Sequence, residues 1–313
     1  MYRFVIGDAL GIVDINTTLL DLMKTHPEFF YDDFEITAVF GCPPNCIWNG
    51  GTTQMYSQPP FDREMLRAMY HTYNDRGIEY RLTLTNHLLQ ENHMLDTYGN
   101  AILDEGNNTG FKNKVLYNLP VVKEYVQKNY PNFGFVRSIT SGLNSLEEVD
   151  ELSKDEVVVL PTKFNKDFEG LKKLHHPENI EILCNQMCID FCPYNDSHYL
   201  IFDKKNLYGE MISTKCKFSD IRKKLGPHYP YGDRKLIVRR EDLPKYEELG
   251  ITMFKLAGRP LTYGGEARKT VIGYLHLFVK KEYQDIVKTL LLAAPFRSQF
   301  PQEIAGEEDH PFV

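Results

Sequence analysis

Short apolar runs recur along the chain, each closed by glycine, proline or a polar cluster, and segments of helical spacing lie between them. Tyr2–Ile6 is β-prone and ends at Gly7-Asp8. Asn16–Lys24 is amphipathic, and Ile36–Phe40 is a second apolar run that stops at Gly41-Cys42-Pro43-Pro44. Phe61–Arg76 carries apolar residues at Phe61, Met65, Leu66, Met69 and Tyr73, with Asp62 and Glu64 in the first turn, so it predicts a helix stopped by Gly77. Glu79–Leu84 predicts a strand ending at Thr85-Asn86-His87, and Leu88–Leu103 a helix. Lys112–Lys128 contains a further helix starting near Pro120.

Gly134–Ile139, Glu156–Leu160, Ile180–Leu183, Lys235–Val238 and Ile251–Leu256 complete the predicted strands. Helical stretches at Ser145–Leu152, Asp167–His175 and Asp242 onward fall between them, and Phe202–Cys216 reads as a polar insertion. Ala267–Leu292 reads as one long helix or two. The strands then number eight, near residues 3, 36, 80, 135, 157, 181, 236 and 253. Strands alternating with helices build a parallel sheet, and eight such units predict a single-domain α/β fold, a TIM-type (β/α)8 barrel over residues 1–293. Residues 294–313 form a polar C-terminal tail. A doubly wound sheet is the rival. It ordinarily carries a Gly-rich phosphate loop after its first strand, and Gly7-Asp8-Ala9-Leu10-Gly11 does not match one.

The 313 residues are 42% apolar and 25% charged, ordinary values for a globular protein. The net charge of −7, with no arginine-rich stripe, disfavours nucleic acid as the main partner. No run approaches the roughly 18 apolar residues of a membrane span, and the N-terminus lacks the layout of a signal peptide. A cytoplasmic protein with mostly reduced cysteines is expected.

The densest chemistry lies in Ile180–Tyr199, where Cys184, Cys188 and Cys192 follow one another at four-residue intervals, with His198 beyond them. Thiols this close are metal ligands more often than isolated core residues, although a free cysteine also packs as a small hydrophobe. The C-x3-C-x3-C spacing matches neither the usual zinc pairs nor a radical-SAM triplet, and all-thiolate ligation suits an iron–sulfur cluster. A fourth ligand would be Cys42, Cys46 or Cys216, with Cys42 favoured because it directly follows a strand.

In a barrel the functional groups sit after the C-terminal ends of the strands. That rule selects Asp8, Trp48, Asn49, Asn86, Asn185 and Arg239 as substrate-binding candidates, and Lys255 and Arg259 with His198 as catalytic candidates. Each has a plainer reading: a turn packed on an aromatic for Trp48 and Asn49, an ion-paired rim for Lys255 and Arg259, a structural histidine for His198. Arg259 after Gly258 could grip a carboxylate in bidentate fashion. No G-x-S-x-G elbow, H-E-x-x-H or Walker loop is present.

Leu243–Arg259, reading LPKYEELGITMFKLAGR, resembles the end of the barrel in the peptidase family U32, where a helix, a Gly-Ile/Val turn and a Phe-Lys-x-x-Gly-Arg strand end recur. The cysteine stretch occupies the place of that family's clustered cysteines. Where the family carries a His-Gly-Ala-Cys type segment, this chain has Leu183-Cys184-Asn185-Gln186-Met187-Cys188, so it resembles a divergent member, nearest the iron–sulfur ubiquinone-hydroxylation accessory proteins. The resemblance implies a TIM-like barrel with a 4Fe-4S cluster, here on Cys42, Cys184, Cys188 and Cys192, serving oxygen-independent hydroxylation or related chemistry on a small anionic substrate positioned by Lys255, Arg259 and His198. Two alternatives stay open. One is a metal-free barrel hydrolase or transferase acting on a sugar or nucleotide-like substrate. The other is a non-catalytic accessory protein that binds a partner subunit.

Overall fold

The structure, a computed structural model, describes residues 1–7, 9–51, 59–185, 192, 194–210, 236–257 and 272–294. Eight parallel strands, β1 (Tyr2–Ile6), β2 (Phe34–Gly41), β3 (Glu79–Leu84), β4 (Lys114–Tyr117), β5 (Gly134–Arg137), β6 (Val157–Val159), β7 (Ile180–Leu183) and β8 (Met253–Leu256), close into a barrel in sequence order. The (β/α)8 architecture expected from the alternation of elements is therefore the observed one.

One of the eight strands is missed by the apolar pattern, and one expected strand is absent. β4 lies in a stretch that reads as the approach to a helix. It is four residues long, and it turns Lys114 as well as Leu116 inward, so neither face shows a clean alternation. The stretch near residue 236 is not a strand. Its apolar residues Leu236, Ile237 and Val238 are buried, but β7 pairs directly with β8 through Ile182↔Phe254 and Leu183↔Lys255, which leaves no edge between them. Val238 instead donates from its backbone to Cys184 O, and Leu236 O accepts from Asn165 Nδ2. Arg239 accordingly follows no strand. It is exposed at the start of a 3-10 turn, with its backbone N–H bound to Asp242 Oδ2.

The helices depart from expectation mainly at their ends. Helix α1 is Val13–Thr25. Helix α2 (Arg63–Asn74) begins at Asp62, whose carboxylate accepts from Met65 N, and buries Leu66, Met69, Tyr70 and Tyr73 against the sheet. The segment 88–103 breaks at Asp96 into a 3-10 turn, Glu91–Leu95, and helix α3 (Thr97–Asn107), because the Asp96 carboxylate caps Gly99 N. Helices α4 (Pro120–Asn129), α5 (Leu146–Ser153) and the short α6 (Phe168–Leu171) follow. The expected polar insertion contains helix α7 (Asn195–Tyr208), which ends at Gly209 in the left-handed region. Helix α8 is Leu243–Glu247. Before residue 293 the expected long helix is interrupted by 3-10 turns at Leu275–Leu277 and Lys281–Tyr283, then resumes as α9 (Gln284–Ala293). Residues 295–313, the expected tail, lie outside the described residues.

The period-two alternation of the strands divides the interior into two layers. Phe4, Ile6, Val39, Tyr80, Leu82, Val115, Ile182 and Phe254 face outward and form one large core with the helices. Leu116, Val136, Val159 and Leu183, from four successive strands, form a separate small cluster inside the barrel. The opposite wall is charged. Glu79, Arg81 and Thr83 alternate with the outward Tyr80, Leu82 and Leu84 along β3. Arg81 reaches across to Glu181 on β7 and also binds Glu79, which pairs in turn with Lys114 at 2.9 Å. Burial works against the Glu181 charge, but Arg81, and after it Lys255, outweigh that cost and hold its carboxyl below the ordinary carboxylate range.

Removing one partner of such a buried pair is far more damaging than removing both. Glu181→Leu is expected to destabilise the protein by about 3–5 kcal/mol in denaturant unfolding. The double variant Arg81→Met/Glu181→Leu should recover a large part of that loss. A double variant no more stable than the single would show that the pair does not carry the interior in this way.

Candidate functional site at the barrel mouth

Strands β8, β2, β3 and β7 bring four inward-facing groups to one side of the lumen. Lys255 comes from β8, Phe40 from β2, and Thr83 and Glu181 from β3 and β7. Lys255 is 4% exposed, and its Nζ lies 3.8 Å from the centre of the Phe40 ring. The Lys255 backbone carbonyl accepts from Cys184 N, but among the described residues its ammonium makes no hydrogen bond or ion pair. Glu181 acts on it only at a distance, because Glu181 Oε2 is taken by Arg81. Burial pushes the Lys255 amine down from its usual 10.5 to about 8; Glu181 partly opposes the shift and Arg81 adds to it.

Three further inward-facing atoms have no hydrogen-bond partner among the described residues: Glu181 Oε1, Thr83 Oγ1 and Asn118 Oδ1. Asn118, just past β4, donates from Nδ2 to Thr85 O and so ties the ends of β3 and β4 together. Phe40, Thr83, Ile139 and Ala257 are partly exposed although they belong to the lumen side. The inner side of the barrel thus has an apolar wall on β4 to β7 and a polar wall ending in Lys255. Concave sites with one apolar wall and a few convergent polar groups are the usual form of small-molecule pockets.

The other expected site residues are placed as follows. Asn185 continues the β7–β8 ladder with its side chain, donating to Ala257 O at 3.0 Å and accepting from Ala257 N at 2.6 Å. Asn86 is fully buried, with Nδ2 bound to Ile47 O and Asp203 O, and Oδ1 accepting from Leu88 N. Asn49 O accepts from Asn206 Nδ2 of α7. Trp48 is wholly buried, with its indole N–H on His93 O at 2.8 Å and its ring against Gly99. These groups hold the loops after β2 and β3 against α7, and of this set only Lys255 opens onto the lumen. His198 is half-buried in the first turn of α7. Asp8, Cys188 and Arg259 lie outside the described residues.

Among the described residues Cys42 and Cys184 do not come together. Cys42 lies beside Cys46, near Tyr70 and Tyr98 of the α2–α3 side, and burial and Cys46 push its thiol up. Cys184 faces outward on β7, near Lys166, Asp242 and Tyr246, and its thiol is likewise raised by burial. Cys42 and Cys184 therefore occupy separate parts of the outer core, and among the described residues no three His, Cys, Asp or Glu side chains are grouped to hold a metal ion.

Two features at or near this mouth were not singled out by strand-end position. Arg81 and Glu181 were legible as opposite charges inside otherwise apolar strand runs, Tyr80-Arg81-Leu82 and Ile180-Glu181-Ile182. His87, at the end of β3, is clamped by Asp203 of α7: Nδ1 lies 2.6 Å from Oδ2, and Nε2 lies 2.6 Å from Thr140 O. Each ring nitrogen thus faces an oxygen, one on a carboxylate and one on a backbone carbonyl. Asp203 also accepts from the backbone N–H of Gly51 and His87, so one buried carboxylate ties three loops to α7.

No protein-family model matches the chain, and no curated protein matches it. Among solved structures it is similar to that of the U32 peptidase Mk0906, with a TM-score of 0.48 and 16% sequence identity over 82% of this chain and 93% of that one. At that level the likeness carries no argument about activity, and the barrel rests on the strand pairing of this chain. Among the described residues no helix is long and apolar enough to cross a membrane.

Lys255 sets a pH dependence whose sign is fixed. The unfolded chain releases this proton near 10.5 and the folded one near 8, so the native state binds fewer protons between these values and stability rises with pH across that window. Below about 8 the full cost of the buried charge is present. Lys255→Met is expected to raise stability at pH 7 by up to about 3 kcal/mol, an advantage that shrinks as the pH approaches 10. Urea unfolding at the two pH values checks this. An unchanged difference between them would refute the assignment.

Proposed function

We propose that the protein is a barrel enzyme that takes a small organic anion with an apolar body into its mouth, the anionic end toward Lys255 and the body against Leu116, Val136, Val159 and Leu183. The observation that carries this reading is the Lys255 ammonium, buried at the C-terminal end of β8 with no carboxylate in contact among the described residues. A buried charge is ordinarily paired, and an anionic ligand would supply the missing partner. The apolar cluster facing it sets the size and character of the remainder of the ligand.

A U32-type activity is the finer reading suggested by Leu243–Arg259, and the iron–sulfur cluster is its cofactor. The thiols in hand do not fit a cluster held by Cys42 and Cys184 together, because these two belong to different parts of the outer core. No step is assigned to a cluster here. Arg259 and His198 keep their proposed role of positioning the substrate.

Calorimetric titration with phenylacetate and isovalerate tests the site. Saturable binding at one site per chain is expected, weakened by at least about tenfold in Lys255→Met, as befits loss of a charge-assisted contact. Binding that is indifferent to this substitution would remove the reading. For the thiols, anaerobically purified Cys42→Ser and Cys184→Ser should match the unaltered protein in visible spectrum and iron content. Loss of a band near 400 nm in both variants would instead restore the four-cysteine cluster.

A further inference from the structure

We propose that Lys255 is a covalent catalyst, its amine condensing with the carbonyl carbon of a 2-oxo acid that has an apolar side chain to form an iminium ion. This deepens the preceding reading and rests on it. A lysine becomes a nucleophile when a dry environment or a neighbouring cation favours its neutral amine. Lys255 has both: it is nine-tenths buried on the lumen side, and Arg81 shares its electrostatic surroundings. No carboxylate among the described residues sits within ion-pair distance of it, whereas Glu79 and Glu181 are both committed to Arg81. Its ammonium lies over the ring of Phe40, which is partly exposed, as is the inward-facing Thr83.

The chemistry is balanced without an oxidant. The deprotonated amine gives its lone pair to the carbonyl carbon, the C–N bond forms, and the carbonyl π pair moves to oxygen, which takes up a proton. The nitrogen proton then leaves with that hydroxyl as water, and the C=N bond forms with its positive charge retained. The retained charge is the reason for choosing a 2-oxo acid. The substrate carboxylate, one carbon away, is paired with the nitrogen's positive charge once the C–N bond has formed, and the iminium keeps that charge after water has left. Glu181 Oε1, without a hydrogen-bond partner among the described residues, faces the same interior and stabilises the iminium charge, while the Thr83 hydroxyl offers a hydrogen bond to the departing oxygen. Lys255 responds to Glu181 on β7 and Arg81 on β3, and these are the charged groups that set its titration.

Reductive trapping tests the proposal on the full chain. The protein is incubated with 2-oxobutanoate or phenylpyruvate and sodium cyanoborohydride, followed by intact-mass and peptide analysis. One adduct per chain on Lys255 is expected, forming faster as the pH passes through about 8, and Lys255→Arg should lose the adduct while retaining binding of phenylacetate. Absence of an adduct on Lys255, or labelling spread over surface lysines with a rate that climbs only toward pH 10, overturns it. If phenylacetate binds but neither oxo acid is trapped, the covalent step fails and the anion site stands. If neither phenylacetate nor the oxo acids bind, both readings fail.

Discussion

The Arg81–Glu181 pair is the constraint from which the rest of the interior follows. It joins β3 to β7, strands four apart and so on opposite sides of an eight-stranded barrel. Neither charge can be left alone in that space, since stripping a buried ion of its partner costs several times what a surface pair contributes. The pair therefore fixes which residues of β3 and β7 face inward, and with period two that decision propagates along both strands. Thr83 is turned to the lumen because Arg81 is, and Leu183 joins the inner apolar cluster because Glu181 points the same way.

The same pair leaves Lys255 exceptional. Adjacent strand pairing sets Lys255 beside Leu183 on one side and Val5 on the other, both apolar. The nearest carboxylate is already occupied. A fold selected only for stability would place a neutral side chain there, as the full cost of the buried ammonium at neutral pH implies. Positions of this kind, where local stability is given up in a concave site, are where proteins concentrate binding and chemistry. The described neighbours of the Lys255 ammonium offer it nothing better than the face of Phe40.

Much of the barrel was legible in the sequence because outward-facing strand residues carry the apolar signal. Ile36, Ile182 and Phe254 announce their strands whatever lies on the other face. β4 was hidden because it is short and places Lys114 inward, so the alternation that identifies a half-buried strand is inverted on the lumen side. The stretch at Leu236–Val238 misled for the complementary reason. Three buried apolar residues can pack in the outer core beside β7 without joining the sheet, and only the direct β7–β8 pairing reveals which occurs. Lys255 was accessible from strand-end position, but Arg81 and Glu181 were not. A rule that looks for chemistry after the strands passes over charges within them. Asn86 and Trp48 obey that rule by position and are nevertheless occupied in holding loops to α7 and α3.

The cysteines show how spacing along the chain and proximity in space diverge at a strand end. Within β7 the alternation sends Leu183 into the lumen and Cys184 out toward Tyr246 and Lys166, so the first thiol of the series faces away from the mouth. Its backbone is pinned in that orientation on both sides, by Lys255 O and by Val238 N. A metal at the mouth would require Cys184 to reverse faces, which breaks both bonds and turns Leu183 out of the inner cluster. The register that holds Glu181 against Arg81 opposes this reversal, since a one-residue slip moves every side chain of the strand to the other face. The ion pair in the barrel thereby keeps the thiol of Cys184 outside it and leaves the amine of Lys255 as the reactive group on the lumen side.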